Sequence, residues 1–468
     1  VTSILSAGDP TLIRSRSQLV DYLSRGERPR AGWLVGSEYE KIALHALDGA
    51  PLAYEPNGSV PGIRTLLEEL ASCCGWQPGY DADAMVSLKT ADASVTLEPG
   101  GQFELSGAPL PTIHGMVCEL QRHEAELAHL ANRLPLRWLW VGANPLHPLD
   151  AIDWMPKRRY GIMRDYLPTR GRYARHMMQS TCTVQANLDF ESEADMAEKL
   201  RVSMGVSSIV TAMFANSPLQ EGKPSGFKSF RANVWSDVDP DRQGLLDFVF
   251  DQSGPSYERW VDYALGVPLF FIMRGDDYLN CAGLPFGEFL ERGFMGHEAR
   301  MGDWELHLST LFPDVRLKTY LEMRTADCVK PSILPALPAL WKGLLYDPAA
   351  RAAAWDLVSG WTMEQRWAHR VDVARDALAA PVPGGQGTTL DLARDLLAIA
   401  HEALRGMAAP ATLACGDSVP DESLHLGGLE ALLASGRCPA DVTLEWYERT
   451  KPGPEQIIAH YEASWAEF

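Results

Sequence analysis

The chain has 468 residues, of which 46% are hydrophobic and 22% charged, and a formal net charge of −19 at pH 7. That length and composition allow a large buried core, as one catalytic body with attachments or as two or three domains. The acidic balance argues against nucleic acid or an acidic membrane surface as partner, and no run of 18 apolar residues offers a membrane span.

The opening stretch VTSILSAGDPTLIRSRSQLVDYL lacks the basic start and long apolar run of a secretory signal and does not read as a transit peptide. The expectation is a cytoplasmic protein. Eight cysteines (Cys73, Cys74, Cys118, Cys182, Cys281, Cys328, Cys415 and Cys438) show neither CxxC nor zinc spacing, which predicts reduced thiols.

In chain order, a helix is predicted within 9–30, then a strand over 33–44 and a helix over 60–72 entered through Pro61. Strands follow at 84–90 and 93–105, the second broken by the turn at Pro99, Gly100 and Gly101. An amphipathic helix spans 111–134 and a strand 136–142. The stretch 154–180 carries seven Lys or Arg residues in an acidic protein and reads as a loop plus helix near a ligand. A cleanly alternating strand covers 181–190, a buried helix 193–215, and a Gly/Pro/Ser loop 216–229. Mixed signals surround Pro268, and the last strand is 315–324. Past about 330 the chain turns Ala/Leu-rich, with helical periods over 335–378, 388–406, 421–435 and 453–466. The division expected is a catalytic α+β core over 1–330 and a mainly helical region over 331–468, packed on it or integrated with it.

Three of these strands line up carboxylates. In VTLEPGGQFEL (95–105), Val95, Leu97, Phe103 and Leu105 take one face and Thr96, Glu98, Gln102 and Glu104 the other. In GSEYEK (36–41), Glu38 and Glu40 share a face. In LKTYLEMR (317–324), Lys318, Tyr320, Glu322 and Arg324 do so. Clustered carboxylates repel one another unless a counter-charge sits among them, and hard divalent cations, often with phosphates, do that job. Arg164, Arg170, Arg172, Arg175, Arg231 and Arg324 are the matching candidates for phosphate or carboxylate. His114, His147 and His176 lack metal spacing. There is no GxxxxGK[ST] and no GxGxxG entering a helix, so a nucleotide would not bind through a P-loop. The residues alone reach an acidic, metal-assisted phosphoryl chemistry and stop there.

Longer stretches carry more. GSEYEKIAL (36–44), YEPNGSVPGI (54–63), SVTLEPGGQFELSG (94–107), RYGIMRDYLPTRG (159–171), TCTVQANLDF (181–190), FANSPLQEGKPSGFKSFRANVWSDVDPDR (214–242), HLSTLFPDVRLKTYLEMRTADC (307–328) and WKGLLYD (341–347) resemble the glutamate–cysteine ligase family in its plant and proteobacterial form, over roughly 30–465. The resemblance implies an α+β fold distantly similar to glutamine synthetase, with a curved, mostly antiparallel sheet forming an active-site funnel and helices outside. It implies ATP-dependent joining of the γ-carboxylate of L-glutamate to the amine of L-cysteine through γ-glutamyl phosphate, with Mg²⁺, or Mn²⁺ in its place. The family's metal positions fall on Glu38, Glu40, Glu98, Glu104 and Glu322, with Gln102 beside them. Arg231 would clamp the glutamate α-carboxylate, with Met163 and Arg164 lining that pocket. Arg324 would steady the phosphates and, with Glu322, serve the reaction. Gln185, Asn187 and Tyr320 are expected near the nucleotide, Gln185 standing where other branches carry a metal-binding histidine. Glu322→Ala is expected to abolish phosphoryl transfer and leave the fold intact.

The implied partners are three small molecules, glutamate, cysteine and ATP, bound by a monomer or homodimer. The branch also uses disulfide control. Cys281 matches one member of such a pair, but 282–303 contains no cysteine, so the same switch is not expected here. Two rivals remain open at this point: a related γ-glutamyl ligase with another amine acceptor, and a regulator that keeps the fold without the chemistry.

Overall fold

In the computed structural model, residues 8–407, 411–412, 418–419 and 421–462 are described. Local signals set the element boundaries. Helix Ile113–Arg133 starts where Thr112 accepts from the Gly115 amide, and helix Glu193–Met213 where Ser192 accepts from the Asp195 amide. Glu193 and Asp195 place negative charge in that helix's first turn, where the macrodipole favours it. The same helix is buried along most of its length, which explains why it shows no polar stripe.

Nine strands make the main sheet. Their order is Val315–Leu317, Leu321–Asp327, Thr183–Leu188, Val35–His45, Phe103–Ser106, Ser94–Leu97, Ala84–Lys89 and Gln77–Asp81, with Leu136–Leu139 pairing the far end of Val35–His45. All these pairings are antiparallel. Val35–His45 is the axis and is buried from end to end. One hydrophobic core runs from Ile13 to Tyr461, so helices beyond 330, such as Ala336–Tyr346 and Thr389–Gly406, share it with the sheet.

The curved funnel expected from the resemblance is corrected here. The sheet is open, with Val315–Leu317 and Gln77–Asp81 as its edges. Closing or curling a sheet needs strands long enough to carry a register stagger around it. Strands Val315–Leu317, Ser94–Leu97, Phe103–Ser106 and Gln77–Asp81 have 3, 4, 4 and 5 residues. The site therefore has a sheet on one side and helices on the other.

The predicted strand 315–324 is a hairpin. Leu317 and Leu321 are register partners, and the Lys318 amide donates to the Tyr320 carbonyl across the turn. The basic stretch 154–180 holds two helices, Arg158–Tyr166 and Ala174–Ser180.

Candidate active site

The two halves of VTLEPGGQFEL return on each other as the period predicts. The Glu98 amide donates to the Gln102 carbonyl, and Gly101 takes φ 85°, a left-handed turn that suits glycine. Gly100 meets the backbone of Gln179 so closely that a Cβ would lie 2.2 Å from its carbonyl oxygen. Gln102 locks the same contact. Its amide nitrogen donates to the carbonyls of Met178 and Thr181 (3.2 and 3.0 Å), and its Oε1 accepts from the Gly100 amide at 2.9 Å. Behind Glu98, Lys157 Nζ and the Tyr160 hydroxyl both donate to the Leu97 carbonyl, at 2.6 and 2.7 Å.

Sheet register brings the carboxylates together. Glu40 lies opposite Glu104, and Glu38 opposite Gln185. Glu38, Glu40, Glu98, Gln102 and Glu104 all line one cavity, facing Arg159, Arg231, Arg316 and Arg324. Burial pushes the carboxyls of Glu38, Glu40 and Glu104 up, and neighbouring carboxylates push them further: Glu322 and Glu104 on Glu38, Glu98 and Glu104 on Glu40, Glu98 on Glu104. Ser106 and Thr96 donate to Glu104, the Thr183 amide to Glu40 and Asn187 to Glu38.

Glu322 has a different setting. It is fully buried and is not on the cavity wall. Arg316 binds it through two nitrogens (2.6 and 3.2 Å), Lys318 at 2.9 Å, and Arg324 forms a third ion pair. Burial alone would raise this carboxyl, but the three cations outweigh it and hold it well below the carboxylate range.

The basic wall is equally specific. Arg231 donates to the carbonyls of Thr325 and Arg324 at 3.2 and 2.8 Å, while its buried Nε, like that of Arg159, has no hydrogen-bond partner among the described residues. Arg324 also donates to Gln185 Oε1 at 3.0 Å. Met163 lines the cavity with Met177, Tyr160 and Trp235. Asn187, Tyr320 and Arg164 do not line it. Arg164 lies over the Trp154 ring, half exposed, and Arg170, Arg172 and Arg175 are spent on Asp239 and Asp241, on Asp237 and on Asp150. Arg159 and Arg316 were not singled out in the sequence. Arg159 sits inside the RYGIMRDYLPTRG stretch, and Arg316 inside HLSTLFPDVRLKTYLEMRTADC, on the strand face of Lys318 and Glu322; those were the available signals.

A divalent cation suits the carboxylate wall by its donors, since it would relieve the mutual repulsion that raises Glu38, Glu40 and Glu104. Among the described residues, no three His, Cys, Asp or Glu side chains are already drawn together as a metal cluster. A pocket with oxygen donors on one wall and guanidiniums on the other, carried on an open α+β sheet, defines a site for small anionic substrates handled with hard cations.

Comparison with known proteins makes that class particular. Residues 34–460 match the model of glutamate–cysteine ligase family 2, and the chain belongs to this family. It is 39% identical over 439 residues to glutamate–cysteine ligase B, chloroplastic, of Oryza sativa subsp. japonica, covering 93% of this chain and 84% of that one. It is 40% identical over 438 residues to the chloroplastic glutamate–cysteine ligase of Arabidopsis thaliana, covering 92% and 80%. The crystal structure of a glutamate–cysteine ligase from Francisella tularensis in complex with AMP shares the fold at a TM-score of 0.50 and 13% identity, covering 91% of this chain and 86% of that one. The relatives also overturn the cytoplasmic expectation, because the two named here are chloroplastic proteins.

Proposed function

We infer that this chain joins L-glutamate to L-cysteine at the expense of ATP, giving γ-glutamylcysteine, ADP and phosphate, the first step of glutathione synthesis. The observation that carries the reading is family membership across 34–460, together with a pocket that sets Glu38, Glu40, Glu98 and Glu104 against Arg231, Arg316 and Arg324. A γ-carboxylate oxygen of glutamate attacks the γ-phosphorus of ATP, the bond to the ADP oxygen breaks, and γ-glutamyl phosphate forms. The cysteine amine then attacks the acyl carbon. A C–N bond forms, the C–O bond to phosphate breaks, and the amine gives up a proton.

Both steps depend on alignment and charge neutralisation more than on a protein nucleophile. Arg231 is assigned to the glutamate α-carboxylate, its unpartnered Nε being the support, with Met163 alongside. Arg324 is assigned to the phosphates, braced by Gln185 and Glu322. Glu38, Glu40, Glu98 and Glu104 would hold Mg²⁺ or Mn²⁺. Gln102 braces their turn, and Glu322 borders the set behind Arg316 and Arg324. Such a cation supplies neutralisation of phosphate charge when bound. The test is ADP release with MgATP and L-glutamate, with and without L-cysteine, and mass analysis of the product. Cysteine-stimulated turnover yielding γ-glutamylcysteine is expected. Glutamate-dependent turnover that ignores cysteine would move the acceptor to another amine.

A further inference from the structure

Helix Ile63–Cys74 ends on two adjacent cysteines, and their sulfurs lie 2.9 Å apart. Neighbouring residues on a helix point about 100° apart and do not normally meet. Here the contact falls on the last turn, just before Gly75 leaves the helix at φ 76°. Cys73 is exposed and Cys74 partly so, and both are free. Cys182, Cys281, Cys328 and Cys438 are buried.

We propose that Cys73 and Cys74 form a chelating dithiol site for a trivalent, thiophilic metalloid of the arsenical class. Soft sulfur ligands select soft centres. A pyramidal trivalent centre takes two sulfurs on the same side with a short bite, which this pair presents. A tetrahedral metal such as zinc wants four ligands, and no group of three or more His, Cys, Asp or Glu that could hold a metal exists among the described residues. With an organoarsenic(III) oxide, two As–S bonds form, the As–O bonds break, and the two thiol protons leave with the oxygen as water. Arsenic stays trivalent and nothing is oxidised. Burial and the Cys73 contact push the Cys74 thiol up to about 12, so its proton stays on sulfur until the exchange carries it away in water. The second bond is intramolecular, and the high effective concentration of the second sulfur makes the adduct tight.

The probe is phenylarsine oxide, added to the full chain and followed by intact mass and thiol counting. One adduct that masks two thiols is expected, reversed by a 1,2-dithiol but not by an equal concentration of monothiol. Cys73→Ser and Cys74→Ser should each weaken capture by on the order of a hundredfold. Both variants should keep the wild-type melting temperature and ligase activity, because neither residue lines the active-site cavity. Undiminished capture in both variants, or reversal by monothiol alone, overturns the assignment. The readout does not pass through the ligase reaction, so it stands or falls separately from the proposed function.

Discussion

Glu40 and Glu104 face each other directly across two antiparallel strands, both buried, and neither forms an ion pair among the described residues. Like charges opposite one another weaken a sheet, so the pair is a cost that the fold carries for its ligands.

Glu104→Gln should therefore stabilise the cation-free protein by on the order of 1 kcal/mol while lowering ligase turnover by about a hundredfold or more. The amide keeps an oxygen for Ser106 and Thr96, so the local bonds survive. Urea unfolding without divalent ions, beside steady-state turnover, checks both halves. Lower stability with normal turnover would remove Glu104 from the site.

The raised carboxyls also set a pH dependence. A group whose folded pKa lies above its unfolded value gives stability that is complete below the unfolded pKa and lost as pH rises through the folded one. Glu38, Glu40 and Glu104 all shift that way from 4.5. Cation-free protein should lose stability as pH climbs from the acid side. A divalent ion competes with those protons, so the rise in melting temperature on adding Mg²⁺ should be larger at about pH 8 than at about pH 5.5. An increment independent of pH would count against these carboxylates as the ligands.

Arg231→Lys should raise the KM for glutamate by roughly 10- to 100-fold, the worth of a charged hydrogen bond, and leave the KM for ATP within about threefold. Lysine cannot reach both the Thr325 and Arg324 carbonyls and still present a planar fork. Equal changes in both constants would show general disorder of the wall rather than a glutamate clamp.

Much of this site was legible because strands have a period of two. Glu38, Glu40, Glu98 and Glu104 fell on one face in the sequence and share one cavity in the structure. The hairpin of Leu317 and Leu321 was not legible, since alternation continues unbroken through the turn. Strand Gln77–Asp81 was missed because QPGYD carries Pro and Gly and is largely exposed at the sheet edge. Helix Pro439–Thr450 buries only three residues and so lacks a clear apolar stripe. Arginine type is visible in a sequence, but what each arginine meets is not: Arg170, Arg172 and Arg175 turned to aspartates outside the cavity, while Arg159 and Arg316 turned into it.

Glu322 shows what that difference does to a variant. The sequence predicted that Glu322→Ala would leave the fold intact. Arg316, Lys318 and Arg324 surround it, and removing it leaves three buried or nearly buried cations unpaired. Breaking one side of such a set costs about 3–5 kcal/mol. Both Glu322→Ala and Glu322→Gln should lose that stability along with activity. Guanidinium unfolding of Glu322→Gln with a wild-type midpoint would contradict the ion-pair reading.

Lys41 makes the last case, on the opposite face of the axial strand. It is fully buried, 2.9 Å from His123 Nε2 and against the Tyr39 and Trp140 rings. Burial pulls its ammonium down to about 7 from 10.5. A depressed folded pKa gives stability that is complete above the unfolded value and lost as pH falls through the folded one. Glu124 runs the other way, pushed up to about 8 by burial, so it loses stability as pH rises from 4.5 through that value. Between about pH 7 and 8 the two slopes oppose each other, and Lys41 is best isolated as the difference between wild type and Lys41→Met. Between about pH 7 and 10.5 the wild type should gain stability relative to the variant by up to about 1.4 kcal/mol per pH unit. Parallel stability curves for the two proteins over that window would mean that Lys41 keeps its proton in the core.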